Sequence, residues 1–287
     1  MNRLFLLAVG LLAAPSAYAT PYAYRVIAGV SWVSDSEGLL GGTVSVGDAL
    51  YLDYIYDSGV SGAIQAGQGV YAFATRPYGA TVTVGPWVMG SDPANVGLRL
   101  EYSDNFVQYQ DTFVLHSFPN VATGPTALDV DTISLELSDP TMTALSGPSL
   151  VPIDLAAWST GTGVDVWGYA GPHYWELFAT PSDIRAMPFL TVSSGVGAPA
   201  TFTGTGYSGG HTVALLTSRG VGTVSVPWGP CVGSQTGLSA PTLRRMFAAN
   251  RDGEFTVHEP IAPAMSGQLV VAFDMTTCTA SPAVRIP

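Results

Sequence analysis

Three groups of residues in this chain have types and spacings that could do chemistry. Gly206-Tyr-Ser-Gly-Gly210 has the Gly-x-Ser-x-Gly spacing of a nucleophile elbow, where a serine stands on a strained turn between a strand and a helix. The residues that follow, Thr212-Val-Ala-Leu-Leu-Thr217, are a β-run and not a helix, so the glycines predict a hairpin turn. His211 would project to the wrong side of that strand to serve as a base. The glutamates Glu37, Glu101, Glu136, Glu176, Glu254 and Glu259 are scattered, whereas glycoside hydrolysis needs two carboxyl groups about 5 to 9.5 Å apart across a cleft. Glu136 and Glu176 lie mid-strand and face either one groove or solvent. The histidines are isolated, without the spacing of a zinc site. No catalytic residue is assigned, and the chain is not expected to be an enzyme.

The second group is aromatic. Trp158, Trp167, Tyr169, His173, Tyr174 and Trp175 fall within one stretch broken by Gly161, Gly163, Gly168 and Gly171. Such rings on a β-sheet stack against sugars, which makes Trp158, Trp167 and Tyr169 candidate ligand-binding residues. The competing reading puts Trp175 and Phe178 in the core, with Trp167 closing one end of the fold.

The third group is acidic. Asp129, Asp131, Asp48, Asp57, Asp104, Asp111, Asp139, Asp154 and Asp165 sit at strand ends and loops. Hard cations take six to eight such oxygens, yet aspartate also caps turns. A structural Ca²⁺ is compatible with this composition, but no ligand set, other metal or cofactor follows from it. Asn250-Arg-Asp-Gly-Glu254 lacks the carboxylate series of a calcium loop, and Asp252-Gly253 predicts a tight hairpin.

Positioning these groups requires an extracytoplasmic all-β scaffold. Met1-Asn-Arg3, the apolar run Leu4 to Ala14 and Pro15-Ser-Ala-Tyr-Ala19 predict a signal peptide over 1–19 and a secreted product at the cell surface, in the periplasm or outside. Only 11% of residues are charged, against about 25% in typical soluble proteins. Gly (33) and Pro (21) are abundant, the mark of short strands joined by tight turns. Lysine is absent, and past the signal 9 Arg face 21 acidic residues, a balance of −12. That argues against nucleic-acid binding, which needs clustered cations. No further run of apolar residues is long enough to span a membrane. Cys231 and Cys278 are the only cysteines, and in a secreted chain they predict one disulfide.

Period-two alternation marks the strands. Over Ala49–Tyr56, Leu50, Leu52, Tyr54 and Tyr56 face one way, and Tyr51, Asp53 and Ile55 the other. Further strands are predicted at 24–30, 42–48, 70–73, 80–84, 96–102, 108–115, 133–137 and 174–179. Charge changes near Met187: residues 20–187 carry 17 acids and 4 Arg, and 188–287 carry 4 acids and 5 Arg. This predicts two domains, 20–187 and 188–287. The second has seven candidate strands, at 191–193, 200–205, 212–217, 245–249, 254–257, 268–273 and 283–286, in about 100 residues, the arithmetic of an immunoglobulin-like sandwich.

The order Tyr24–Val30, Val46-Gly-Asp48, Tyr54-Ile-Tyr-Asp57, Gly69-Val-Tyr-Ala-Phe73, Leu150-Val-Pro-Ile-Asp-Leu155 and Trp175-Glu-Leu177 resembles a β-sandwich domain of bacterial secreted proteins, many of which carry a Pro-Glu-Pro C-terminal sorting tag. The likeness covers residues 22–186. No such tag follows, because Ala283-Val-Arg-Ile-Pro287 lacks its hydrophobic segment and basic tail. Residues 190–286, with Ala200-Thr-Phe-Thr203, Thr212-Val-Ala-Leu-Leu216, Gln268–Asp274 and the two cysteines, resemble an immunoglobulin-like module near the C-termini of bacterial surface and secreted proteins. Together these likenesses imply two tandem antiparallel β-sandwiches, jelly-roll-like then immunoglobulin-like. The implied role is a non-catalytic structural or recognition one at a bacterial exterior, with a glycan or other surface proteins as partners. The alternative is a carbohydrate-binding module or glycan-acting enzyme using the aromatic stretch.

Overall fold

The computed structural model describes residues 21–286 except 58, 76, 108–109, 148–149, 151–152, 154, 159, 194–198, 208, 221, 223, 228, 235 and 252. The expected signal peptide, Ser208, Asp154 and Asp252 lie outside the described residues. Those described are nearly all β, and the only helical pieces among them are two 3₁₀ turns, Leu155–Ala157 and Pro263–Met265. Among the described residues, no helix is long and apolar enough to cross a membrane.

The first twelve strands are β1 (Pro21–Ser34), β2 (Ala49–Asp57), β3 (Ala63–Gln65), β4 (Gln68–Phe73), β5 (Gly79–Val84), β6 (Trp87–Ser91), β7 (Leu98–Val107), β8 (Gln110–Ser117), β9 (Asn120–Thr123), β10 (Asp129–Asp139), β11 (Thr160–Ala170) and β12 (His173–Met187). They form one antiparallel path in the order β3-β4-β7-β8-β10-β11-β12-β1-β2-β5-β6-β9. One face of this path is apolar. Leu50, Leu52, Tyr54 and Tyr56 are buried on β2, as their alternation requires, and so are Val82 and Val84 on β5 and Phe113 and Leu115 on β8.

That face closes on itself. Tyr54 of β2 lies 6.5 Å from Phe113 of β8, although four strands separate β2 from β8 in the path. Asn120 of β9 donates to the Asp131 carbonyl of β10 at 3.2 Å, bringing the last strand of the path beside a central one. Folding the sheet over buries the apolar side of every long strand without a second layer of helices. At one end the rings of Tyr24, Tyr54 and Tyr56 stack 5.5–6.2 Å apart.

Residues 42–48, expected as a strand, are instead a loop in which Gly42 and Gly47 take φ of 64° and 97°. Such angles turn the chain out of the extended conformation that regular pairing needs. Asp35 accepts the Leu39 and Leu40 amides, and Asp48 accepts that of Ser45, so local carboxylates supply the loop's backbone partners.

After Met187 the pairing restarts. The later strands are β13 (Phe189–Ser193), β14 (Ala200–Thr205), β15 (Thr212–Ser218), β16 (Thr242–Ala248), β17 (Phe255–Glu259), β18 (Leu269–Asp274), β19 (Thr279–Ala280) and β20 (Val284–Arg285). One antiparallel sheet runs β13-β14-β17 and another β16-β15-β18-β19, with β20 also on β18. Phe202 and Val257 from the first sheet share a core with Val213, Leu215 and Val270 from the second. The Cys231–Cys278 disulfide is present, its Cα atoms 5.2 Å apart. It lies over the opposite side of β15 and β18, where Cys231 packs with Ala214, Val226 and Phe273. Ala23, Met187 and Phe189 form a small apolar contact between the two parts of the chain, with Ile55 against it.

Candidate functional site

The two glycine-rich segments expected as hairpins are crossovers. β14 and β15 belong to different sheets, and so do β16 and β17, so Gly206–Gly210 and Asn250–Glu254 each carry the chain from one sheet to the other. They lie side by side: Tyr207 N–H donates to the Gly253 carbonyl at 3.1 Å and Gly210 N–H to that of Ala249 at 3.2 Å. Gly253 has φ 76°, and a Cβ there would overlap the Tyr207 carbonyl, which is why a glycine stands at this contact. A strand, not a helix, follows Gly210, so the frame of a nucleophile elbow is absent around residue 208. Sequence reasoning missed the pairing of His211 Nδ1 with Asp274 Oδ2 at 3.1 Å. Asp274 is buried and also accepts the Thr276 and Thr277 amides. Although burial alone would raise it, those amides and His211 hold its carboxyl below the usual carboxylate range.

Several of the aspartates weighed for Ca²⁺ accept backbone amides instead. Asp57 accepts Gly59 N–H and the Tyr78 hydroxyl, Asp111 accepts the Asn105 and Leu145 amides, and Asp139 accepts those of Thr141, Thr143 and Ala144. Among the described residues, no group of three or more His, Cys, Asp or Glu could hold a metal ion.

The aromatic stretch divides. Trp158 follows the Leu155–Ala157 turn, donates its amide to the Leu155 carbonyl at 3.0 Å, and is buried in the core of the large sheet. Trp175 is fully buried as well. Trp167 and Tyr169 point outward from β11, where Val164 and Val166 alternate with them and point inward. Phe178, weighed above as a core residue, also points outward, because it lies one residue out of phase with buried Leu177 and Ala179.

Register assembles the rest. Tyr169 pairs with Tyr174, Trp167 with Glu176, and Asp165 with Phe178; across β1, Phe178 pairs with Trp32 and Glu176 with Ser34. Five rings thus share the outward side of β11, β12 and β1. Trp32 is 48% exposed, Tyr169 43%, Tyr174 40% and Phe178 37%. Trp167, Tyr169 and Tyr174 form a triangle with ring centroids 5.6–6.2 Å apart. Gly163 is part of the construction, because a Cβ there would overlap the Phe178 ring.

Two carboxyl groups lie among the rings. Tyr174 Oη donates to Glu176 Oε2 at 2.7 Å. Burial and the neighbouring Glu176, through both charge and a hydrogen bond, push Asp165 up to about 6. Asp165 and Glu176 are diagonal neighbours across β11 and β12, because Asp165 pairs with Phe178 and Glu176 with Trp167. Glu136 faces outward too, but it pairs with Gly163, two strands away from Glu176 and displaced along the sheet.

A raised carboxyl destabilises the fold where it must ionise. With a folded value near 6 and an unfolded one near 4, the native chain holds the extra proton between those values, so stability falls as pH rises from about 4 to 6 and then levels off. Asp165→Asn is therefore expected to stabilise the protein at pH 7.5 by roughly 1–2 kcal/mol after allowance for solvent screening, and to change little at pH 4. Urea unfolding at the two pH values measures this. Equal or lower stability of the variant at pH 7.5 would show that the pair costs nothing. The chain matches no protein-family model, and no curated protein or solved structure is significantly similar to it.

Proposed function

We propose that this chain is a secreted, non-catalytic recognition protein of a bacterial exterior that binds carbohydrate on the outward face of β1, β11 and β12. One observation carries the reading: five aromatic rings stand on the solvent side of three adjacent strands, where a folded sheet ordinarily places polar side chains. Rings packed on one another, with Trp167 and Tyr169 edge to face at 88°, present apolar surface to the C–H faces of pyranose rings at little entropic cost. The disulfide is compatible with an oxidising compartment outside the cytoplasm. The resemblance of residues 22–186 and 190–286 to bacterial secreted modules supports the same setting. Residues 20–187 and 188–287 are read as two domains, a division supported by backbone pairing that stops at Met187 and restarts at Phe189.

Binding of immobilised oligosaccharides to the oxidised protein tests this. Trp167→Ala and Tyr169→Ala are each expected to weaken binding at least tenfold, while their unfolding free energies stay within about 0.5 kcal/mol of the parent. Binding that ignores both substitutions, or the lack of any glycan partner, would refute the aromatic face as the site.

A further inference from the structure

The geometry points to a preference of this aromatic face for amine-bearing sugars, pyranose rings that carry a free ammonium group, over neutral ones. The inference rests on the sugar-binding reading and names the class of sugar. Stacking alone does not distinguish a neutral ring from a charged one. What sets this face apart is the position of its carboxylates: Glu176 is paired across the strands with Trp167, and Asp165 with Phe178. An ammonium group held there meets a π-face and a carboxylate together. Asp165 Oδ1 has no hydrogen-bond partner, although it is shut off from water.

The surrounding charges fit a cation. Asp129 pairs with Tyr169 from the β10 side. Glu37 lies 3.9 Å from His173 at the start of β12, so that histidine has an acidic neighbour of its own. Arg99 is held by Glu101 and Arg25 by Asp53, each at 2.7 Å. Arg25 and Arg185 pair with each other toward the far end of β1 and β12. His116 stands on β8 opposite Ser134, which is opposite Asp165, two strands away from the carboxylate. A lysine-rich peptide carries the same cation, but a peptide docks onto a sheet through a free strand edge. β11, β12 and β1 are each paired on both sides, so the backbone of a peptide would lie against rings with its polar groups unmet. A sugar offers an apolar ring face there instead.

Calorimetric titration of the oxidised chain with β-1,4-linked hexamers of glucosamine, N-acetylglucosamine and glucose, at about pH 6.5, where the glucosamine amines are partly charged, tests the inference. The glucosamine hexamer is expected to bind about tenfold tighter than the other two. Asp165→Asn and Glu176→Gln should remove that preference, so that the glucosamine hexamer binds each variant no tighter than the neutral hexamers do. Trp167→Ala should weaken all three. Equal affinities in the parent would overturn the preference and leave sugar binding standing, whereas failure of every hexamer to bind would overturn both. A preference that survives both carboxylate substitutions would assign it to the net charge of −11 and not to this site. A lysine-rich peptide that binds where the glucosamine hexamer does not would also refute it.

Discussion

Replacing Trp158 by alanine is expected to lower the unfolding free energy by about 3–5 kcal/mol, the cost of a cavity left by a large aromatic side chain in a packed interior. Trp158 is 7% exposed and belongs to the core that the twelve-stranded sheet closes around. Its neighbours in sequence behave differently. Trp167→Ala, on the outward side of the sheet, should shift stability by no more than about 0.5 kcal/mol. Urea unfolding with an unchanged slope reads both, because a lower midpoint at constant slope is a loss of stability and not a change in the denatured state. A loss below about 1 kcal/mol for Trp158→Ala would place that ring outside the core. Trp158→Phe should recover most of the loss, since it keeps an aromatic filler in the same space.

The second large effect belongs to the disulfide. Opening Cys231–Cys278, which are separated by 47 positions, releases loop entropy worth about 4 kcal/mol in the unfolded state, an upper figure because denatured chains retain some structure. The bond also fixes the segment above β15 and β18, where Cys231 is buried beside Phe273. A paired Cys231→Ala and Cys278→Ala variant is therefore expected to melt earlier, and only in part. If residues 20–187 and 188–287 are separate domains, calorimetry should resolve two transitions and the substitutions should lower one of them. A single transition moving as a whole would join both parts into one cooperative unit, with the Ala23, Met187 and Phe189 contact as its bridge.

Much of the scaffold was legible because a strand's side chains alternate with a period of two that no loop can imitate for long. Leu50, Leu52, Tyr54 and Tyr56 could be assigned to one face from spacing alone, and they are buried together. Strands β14, β15 and β18 fall within a residue or two of their predicted limits. β11 went unseen because Gly161, Gly163 and Gly168 disguise its alternation, although Val164 and Val166 against Asp165, Trp167 and Tyr169 carry the signal. The glycine turns at 206–210 and 250–254 were legible as turns. Their role in joining two sheets was not, because a tight turn looks the same locally whether its flanking strands pair with each other or with strands elsewhere.

The sequence by itself determined that this is an all-β protein and, by offering only two cysteines, which disulfide could form. Both follow from local or combinatorial facts: residue period, turn chemistry and the number of available thiols. Only the tertiary structure decided which aromatic residues meet solvent. It sent Trp158 into the core, turned Phe178 outward and brought Trp32, from the other end of the large sheet's sequence, beside it. It also set Asp165 and Glu176 against each other through the register of β11 on β12. Register is fixed by which face of every strand must be buried, so a site built across three strands exists only once the whole sheet has closed.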